Sequence, residues 1–302
     1  MDISAVMVRD LRDKTGAGVM ECKAALTEAG GDLTKAIEVL RKRGLKTAEK
    51  KAGRTAADGL VAAWISPRRD AGALLELNCE TDFVARTEQF TGLTRSLVAL
   101  VGADAAASDV NVLLTRSLNG KPVAEVVKET IGSLGENVVV QRAARLALPQ
   151  DAKGLVTSYL HGGGKIGVLV EVRCKSDGIA RSEGLAQLAK ELALQVCSAE
   201  PAYVTRDQVP AEVLEKEWEI LRAQPDMQGK PAAIQDKIIQ GRLEKFFMER
   251  CLVDQLFIRD PEGKQKIRDV LKAAEKTLGE PVTVAGFARF RLGEGIEKRA
   301  EG

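Results

Sequence analysis

GLVAAWISPRRDAGALLELNCETDFVAR, residues 59–86, returns 95 residues later as GLVTSYLHGGGKIGVLVEVRCKSDGIAR, residues 154–181. The alignment runs without a gap from 59–101 to 154–196, and fourteen of its 43 positions are identical, enough to define a duplicated unit. Each copy has the same order. GLVAAWI and GLVTSYL have the composition of short strands, SPRRD and HGGGK that of turns, and ALLELNC and VLVEVRC that of the returning strands. A helix is expected to begin near Glu88 or Glu183, with Phe90, Leu93, Leu97 and Leu100 at helical spacing in the first copy. A second match links LGENVVVQRAARLAL (134–148) with LGEPVTVAGFARFRL (278–292) at an offset of 144 and supplies a third strand. A helix precedes it, carried in the second copy by Ile267, Val270, Leu271, Ala274 and Leu278. Each half is therefore expected to be a small antiparallel sheet covered by helices, and the fold class to be α+β.

The two offsets differ by 49 residues, so the second copy carries an insertion of that length between Val196 and Leu278. Val213, Leu214, Trp218 and Leu221 form one helical stripe in it; Ile234, Ile238, Ile239, Leu243, Phe246 and Phe247 form another. PDMQGKP (225–231) separates them, which predicts a projecting antiparallel helical hairpin. With little core beneath it, its outer stripe is expected to meet another molecule. Residues 1–54 lie outside the repeat and fit three short helices. Gly30-Gly31 stops the second, and Asp32 caps the third before Leu33, Ala36, Ile37 and Leu40. The expected domains are 1–54, 55–150, 151–200 with 260–302, and the hairpin at 201–259.

Composition narrows the chemistry. Of 302 residues, 45 are Lys or Arg and 43 Asp or Glu, a net charge of +2 where a general nucleic-acid binder carries a larger surplus. The densest basic run, Arg41 to Arg54, has the character of a solvated helix end favoured by the dipole; a contact surface for acidic protein or RNA is the alternative. No window is apolar enough for a membrane helix, and the opening MDISAVMVRDLRDK mixes acids and bases. A cytoplasmic chain is expected. Five cysteines, at 22, 79, 174, 197 and 251, without CxxC spacing, argue for reduced thiols, not disulfides or zinc. The single histidine, His161, rules out a multi-histidine metal site. HGGGKIG fails the phosphate-loop spacing because Ile166 follows Lys165, and its alignment with SPRRD makes it a hairpin turn.

Within the repeat, ETDFVAR aligns with KSDGIAR. Asp82, Ala85 and Arg86 recur as Asp177, Ala180 and Arg181, and Val84 becomes Ile179, but Phe83 becomes Gly178. A ring required by the common core would have a counterpart. Phe83 either points away from that core or packs against the N-terminal helices, which only the first copy adjoins.

LRDKTGAGVMECKAAL (11–26) and ELNCETDFVAR (76–86) resemble the two signature motifs of the elongation factor Ts family, bacterial guanine-nucleotide exchange factors for elongation factor Tu. The resemblance extends through GGDLTKAIEVLRKRG, HGGGKIGVLV and GFARFRLGEGIEK and so covers nearly the whole chain. It implies a ubiquitin-associated-like three-helix N-terminal domain, a core of two related subdomains, and a helical-hairpin module, associated in some members with dimerisation. It implies a non-enzymatic protein without cofactor, whose partner is elongation factor Tu, with a homodimer through the hairpin as an option, no membrane and no direct nucleic acid. The wedge pushed toward the partner's magnesium site is implied to be Thr81, Asp82, Phe83 and Val84, with Asp82 and Phe83 intruding. Arg12, Val19 and Met20 are implied contacts from the N-terminal motif, and His161 occupies the contact-loop histidine position. Many members continue past the Gly-Glu-Gly-Ile-Glu-Lys that ends here at Lys298 into a C-terminal helical module, whose contacts are expected to be missing.

Overall fold

The computed structural model describes residues 3–227 and 230–297. It begins with three helices, α1 (Ala5–Thr15), α2 (Val19–Glu28) and α3 (Leu33–Lys51). Ser4 caps α1 by accepting from the Met7 amide at 3.3 Å, and Asp32 caps α3 by accepting from the Lys35 amide at 3.0 Å. Val8, Leu11, Cys22, Ala25, Leu26 and Ala36 close a small core between the three. The apolar stripe of the third helix ends at Leu40, yet α3 runs on through much of the basic stretch. Packing explains the extension, because Gly44 of α3 meets Gly132 of a later helix, and Arg41 pairs with Glu125 and, at 3.3 Å, with Glu129. Part of the basic run is thus neutralised within the molecule.

The first unit contains β1 (Asp58–Ile65), β2 (Ala71–Cys79), α4 (Asp82–Ala85), α5 (Glu88–Ala103), α6 (Val110–Thr115), the two-residue strands β3 (Ser117–Leu118) and β4 (Lys121–Pro122), α7 (Val123–Leu134) and β5 (Val138–Ala147). The second contains β6 (Lys153–His161), β7 (Ile166–Cys174), α8 (Asp177–Ala180), α9 (Glu183–Ala199), α10 (Ala211–Arg222), α11 (Ala232–Arg250), α12 (Ile267–Leu278) and β8 (Thr283–Arg291). The sheets are antiparallel, ordered β1-β2-β5 and β6-β7-β8. The duplication reaches their defects. Each third strand bulges at the same place, with Gln141 of β5 extra opposite Glu76 and Leu77, and Ala285 of β8 extra opposite Glu171 and Val172. Opposite each bulge sits a positive-φ glycine, Gly59 or Gly154, where a Cβ would fall 2.1 or 2.0 Å from the facing carbonyl oxygen.

The units do not stand apart. The sheets pack against each other through Val61, Leu74, Val156, Leu169 and Phe290, while α5 and α7 cover the outer face of the first sheet and α9 and α12 that of the second. Every residue of β2 is therefore buried, on both faces, Glu76 and Asn78 included. The contact is near-symmetric. The Val61 amide donates to the Gly164 carbonyl (2.8 Å) and the Val156 amide to that of Arg69 (2.7 Å). These two bonds join the same positions of the two copies in opposite directions, which is the isologous pattern of a two-fold dimer built into one chain. The fully buried Glu76 adds an asymmetric lock: its carboxylate accepts from Arg142 Nε and from the Gly293 amide, both at 2.7 Å. Arg142 in turn lies over the Phe290 ring and reaches Glu294 at 3.0 Å.

The insertion holds two long helices, α10 and α11. α10 and α11 meet through Trp218, Leu221, Ile239 and Leu243 with Met227, and part of the 225–231 break, Gln228 and Gly229, lies outside the described residues. Its neck is tied by the Leu252 amide to the Tyr203 carbonyl (2.8 Å), by Arg206 to Asp254 (2.8 Å) and by Gln195 to Gln255 (3.1 Å). Residues 103–122 of the first unit, with α6 and the β3–β4 pair, have no counterpart in the sequence-derived plan; their elements are too short to carry a period. Among the described residues no helix is long and apolar enough to cross a membrane. Lys298 lies outside the described residues.

Candidate partner-binding site

Thr81 stands at the exit of β2 and caps α4, accepting from the Val84 amide at 3.3 Å. Its own amide donates to Glu136 Oε2 (3.0 Å), its hydroxyl donates to Glu136 Oε1 (2.7 Å), and its carbonyl accepts from the Cys79 thiol (3.1 Å). All the polar groups of Thr81 are thus satisfied. Burial, then the neighbouring Glu136 charge, pushes the Cys79 thiol up to about 12, so it stays protonated and able to donate at neutral pH. Glu80 braces the same corner from the other side, accepting from the Asn137 amide (2.8 Å) and from Arg54 (3.1 Å). None of these braces was named as a site residue from sequence. The recurrence of Glu136 as Glu280 in the two LGE segments was the available signal.

On this braced corner the four residues expected to form a wedge divide. Val84 is partly buried against the unit's core, and Ala85 is buried. Asp82 points outward and pairs with Arg86 one turn on, at 2.7 Å. Phe83 is 79% exposed, which excludes the alternative that its ring packs against the N-terminal helices. An exposed ring of this size in a chain with 4% aromatic residues has no stabilising role within its own fold. The sister corner repeats the frame without the ring. Ser176 accepts from the Ile179 amide (3.3 Å), Glu280 accepts from the Lys175 and Ser176 amides (2.8 and 3.0 Å), and the Cys174 thiol donates to the Ser176 carbonyl (3.4 Å). Burial opposes ionisation of Glu280, but donors from Ser176 and Lys175 outweigh it and hold its carboxyl below the usual range. A Cβ on Gly178 would meet nothing within 4 Å, so the missing ring is not a packing necessity.

The remaining sequence-derived residues are also on the surface. Arg12, Val19 and Met20 are exposed, the last two 52% and 75%. Their loop docks beside the helix that follows the wedge: Ser133 Oγ lies 3.1 Å from both the Gly16 carbonyl and Gln89 Oε1, and Gln89 is in the first turn of α5. His161 ends β6, exposed, with Nδ1 3.2 Å from the Tyr159 hydroxyl. Its hairpin turn rests on β1 through the Gly164 carbonyl, and α4 packs on that same strand. The turn residues Gly162, Gly163 and Gly164 all have positive φ, as a tight hairpin requires.

Among the described residues no group of three or more His, Cys, Asp or Glu could hold a metal ion, and all five cysteines are free. The site is a set of exposed apolar and charged side chains on a braced frame. A family model described as elongation factor TS matches residues 80–294. Elongation factor Ts of Clostridium perfringens (strain SM101 / Type A) is 45% identical over 300 residues, covering 99% of this chain and 96% of that protein. Elongation factor Ts of Clostridium botulinum (strain ATCC 19397 / Type A) is 44% identical over 301 residues, covering 99% and 95%. The chain belongs to the elongation factor Ts family.

Proposed function

We propose that this chain is a guanine-nucleotide exchange factor that binds elongation factor Tu carrying GDP and promotes GDP release during translation elongation, in the cytoplasm. The observation that carries this reading is the exposed Phe83 ring, presented by one sister corner and absent from the other. Exchange needs no covalent chemistry. A factor that binds the nucleotide-free partner more tightly than the GDP-bound one must weaken GDP by the same ratio. Burying a Phe ring in a pocket open only in the distorted partner contributes about 1.5–3 kcal/mol, roughly a 10- to 150-fold weakening. Asp82 would bring negative charge toward the partner's magnesium ion and disturb its water shell; loss of that ion removes a counter-charge to the phosphates.

In this reading Thr81 and Val84 seat the wedge, Arg12, Val19 and Met20 contact the partner's G domain, and His161 touches it from the adjoining turn. Residues 1–54 act as a ubiquitin-associated-like domain, 55–150 and 151–200 with 260–302 as the paired core, and 201–259 as a module able to pair two copies. No cofactor and no nucleic acid take part. Stopped-flow release of a fluorescent GDP from elongation factor Tu tests the proposal. Wild-type protein accelerates release, and Phe83→Ala loses most of that acceleration; equal rates with both proteins refute the wedge.

A further inference from the structure

The ring acts as a wedge only if its turn resists being pushed back, and one carboxylate holds that turn. We propose that Glu136 is a positioning residue for exchange, a latch that fixes Thr81 and so the direction of Phe83; this rests on the exchange reading above. Glu136 lies 55 residues from Thr81 in sequence and takes both of its donors, the amide at 3.0 Å and the hydroxyl at 2.7 Å. Losing the carboxylate frees the Thr81 hydroxyl and amide together, and with them the cap on Val84. The corner that carries the ring is also braced more heavily than its sister. Glu80 bridges the Asn137 amide and Arg54, and the Asn137 side chain donates to the Arg54 carbonyl at 2.8 Å. At the equivalent of Glu80 the second unit has Lys175, and Glu280 works there alone. The extra support falls where a load would be applied.

The duplication supplies its own control. Glu280→Ala removes the same kind of contact from a corner with no ring, so it reports the structural effect without the functional one. Two readouts are taken on the full chain, with Glu136→Ala, Glu136→Gln and Glu280→Ala. In the free protein, amide hydrogen exchange at Thr81 and Val84 rises about tenfold or more in Glu136→Ala while β2 amides keep their protection. In GDP release from elongation factor Tu, Glu136→Ala lowers the maximal rate about tenfold or more, with a smaller change in the half-saturating concentration. Glu136→Gln, which keeps one acceptor, recovers part of that rate, and Glu280→Ala matches wild type. The Phe83→Ala/Glu136→Ala double variant is no slower than Phe83→Ala, because the latch works through the ring. Wild-type exchange by Glu136→Ala, equal losses in Glu136→Ala and Glu280→Ala, or unchanged amide protection at residues 81–84 each overturns the latch. Wild-type protein that fails to accelerate release, or a Phe83→Ala variant as fast as wild type, overturns the exchange reading instead and the latch's role with it.

Discussion

Phe83 is an exposed ring on a hydrogen-bonded turn, so its substitution is expected to separate exchange from folding. Because 79% of the residue faces solvent, Phe83→Ala is expected to change unfolding free energy by no more than about 0.5 kcal/mol, measured by urea denaturation, even where it abolishes exchange. Gly178→Phe is the converse experiment. The site is open, so the variant folds with an unchanged urea midpoint, and its release rate matches wild type if the second corner faces no partner. A large rate change would mean that both corners meet the G domain. Comparison of the two copies made Phe83 legible as the odd residue, because Gly178 marks the position as unneeded by the shared fold. The direction of the ring was not legible. A four-residue helix has no period, and although Glu136 recurs as Glu280, its hold on Thr81, 55 residues away, exists only once β2 and β5 are paired.

At the scale of elements, the contact of α3 with α7 holds the N-terminal helices against the first unit. A Cβ on Gly132 would lie 2.4 Å from the Gly44 Cα, a backbone atom that cannot step aside. Gly132→Ala should gain about 1 kcal/mol in helix propensity and lose more to overpacking, for a net destabilisation of about 1–2 kcal/mol. Limited proteolysis between Ala52 and Ala57 should accelerate; unchanged cleavage would show that the helices can separate without strain. In β2, Cys79 makes a pH prediction. Its folded thiol ionises near 12 against an ordinary 9.0, so its stabilising contribution is complete below pH 9 and is lost as pH rises from there toward 12. The urea midpoint of wild type should therefore fall more steeply above pH 9 than that of Cys79→Ala. The course of α3 was only half legible: caps and periodicity placed its start at Asp32, but beyond Leu40 the apolar stripe stops and the helix is held by a tertiary contact between two glycines.

Across the whole molecule, two copies of one sheet are fused back to back, and the wedge corner, the His161 turn and the N-terminal motif are carried on that frame. Internal similarity made the duplication, its third strands and the inserted helical pair legible. The packing of sheet on sheet was not, because a repeat shows that there are two sheets and is silent about which of their faces meet. Glu76 is the stability test at this scale: removing its buried carboxylate leaves the Gly293 amide without its acceptor and takes one partner from Arg142, which keeps Glu294 and the Arg291 carbonyl, so Glu76→Ala should cost about 1–3 kcal/mol in denaturant unfolding. A loss below about 1 kcal/mol would mean that the carboxylate adds little to the contact between the units. In the exchange reading the Phe83 ring leaves water for the interior of another protein. The structure of the chain bound to nucleotide-free elongation factor Tu measures it directly: Phe83 should be buried in the partner beside its emptied magnesium and phosphate site, and a ring still facing solvent, or folded back onto its own chain, would contradict the account.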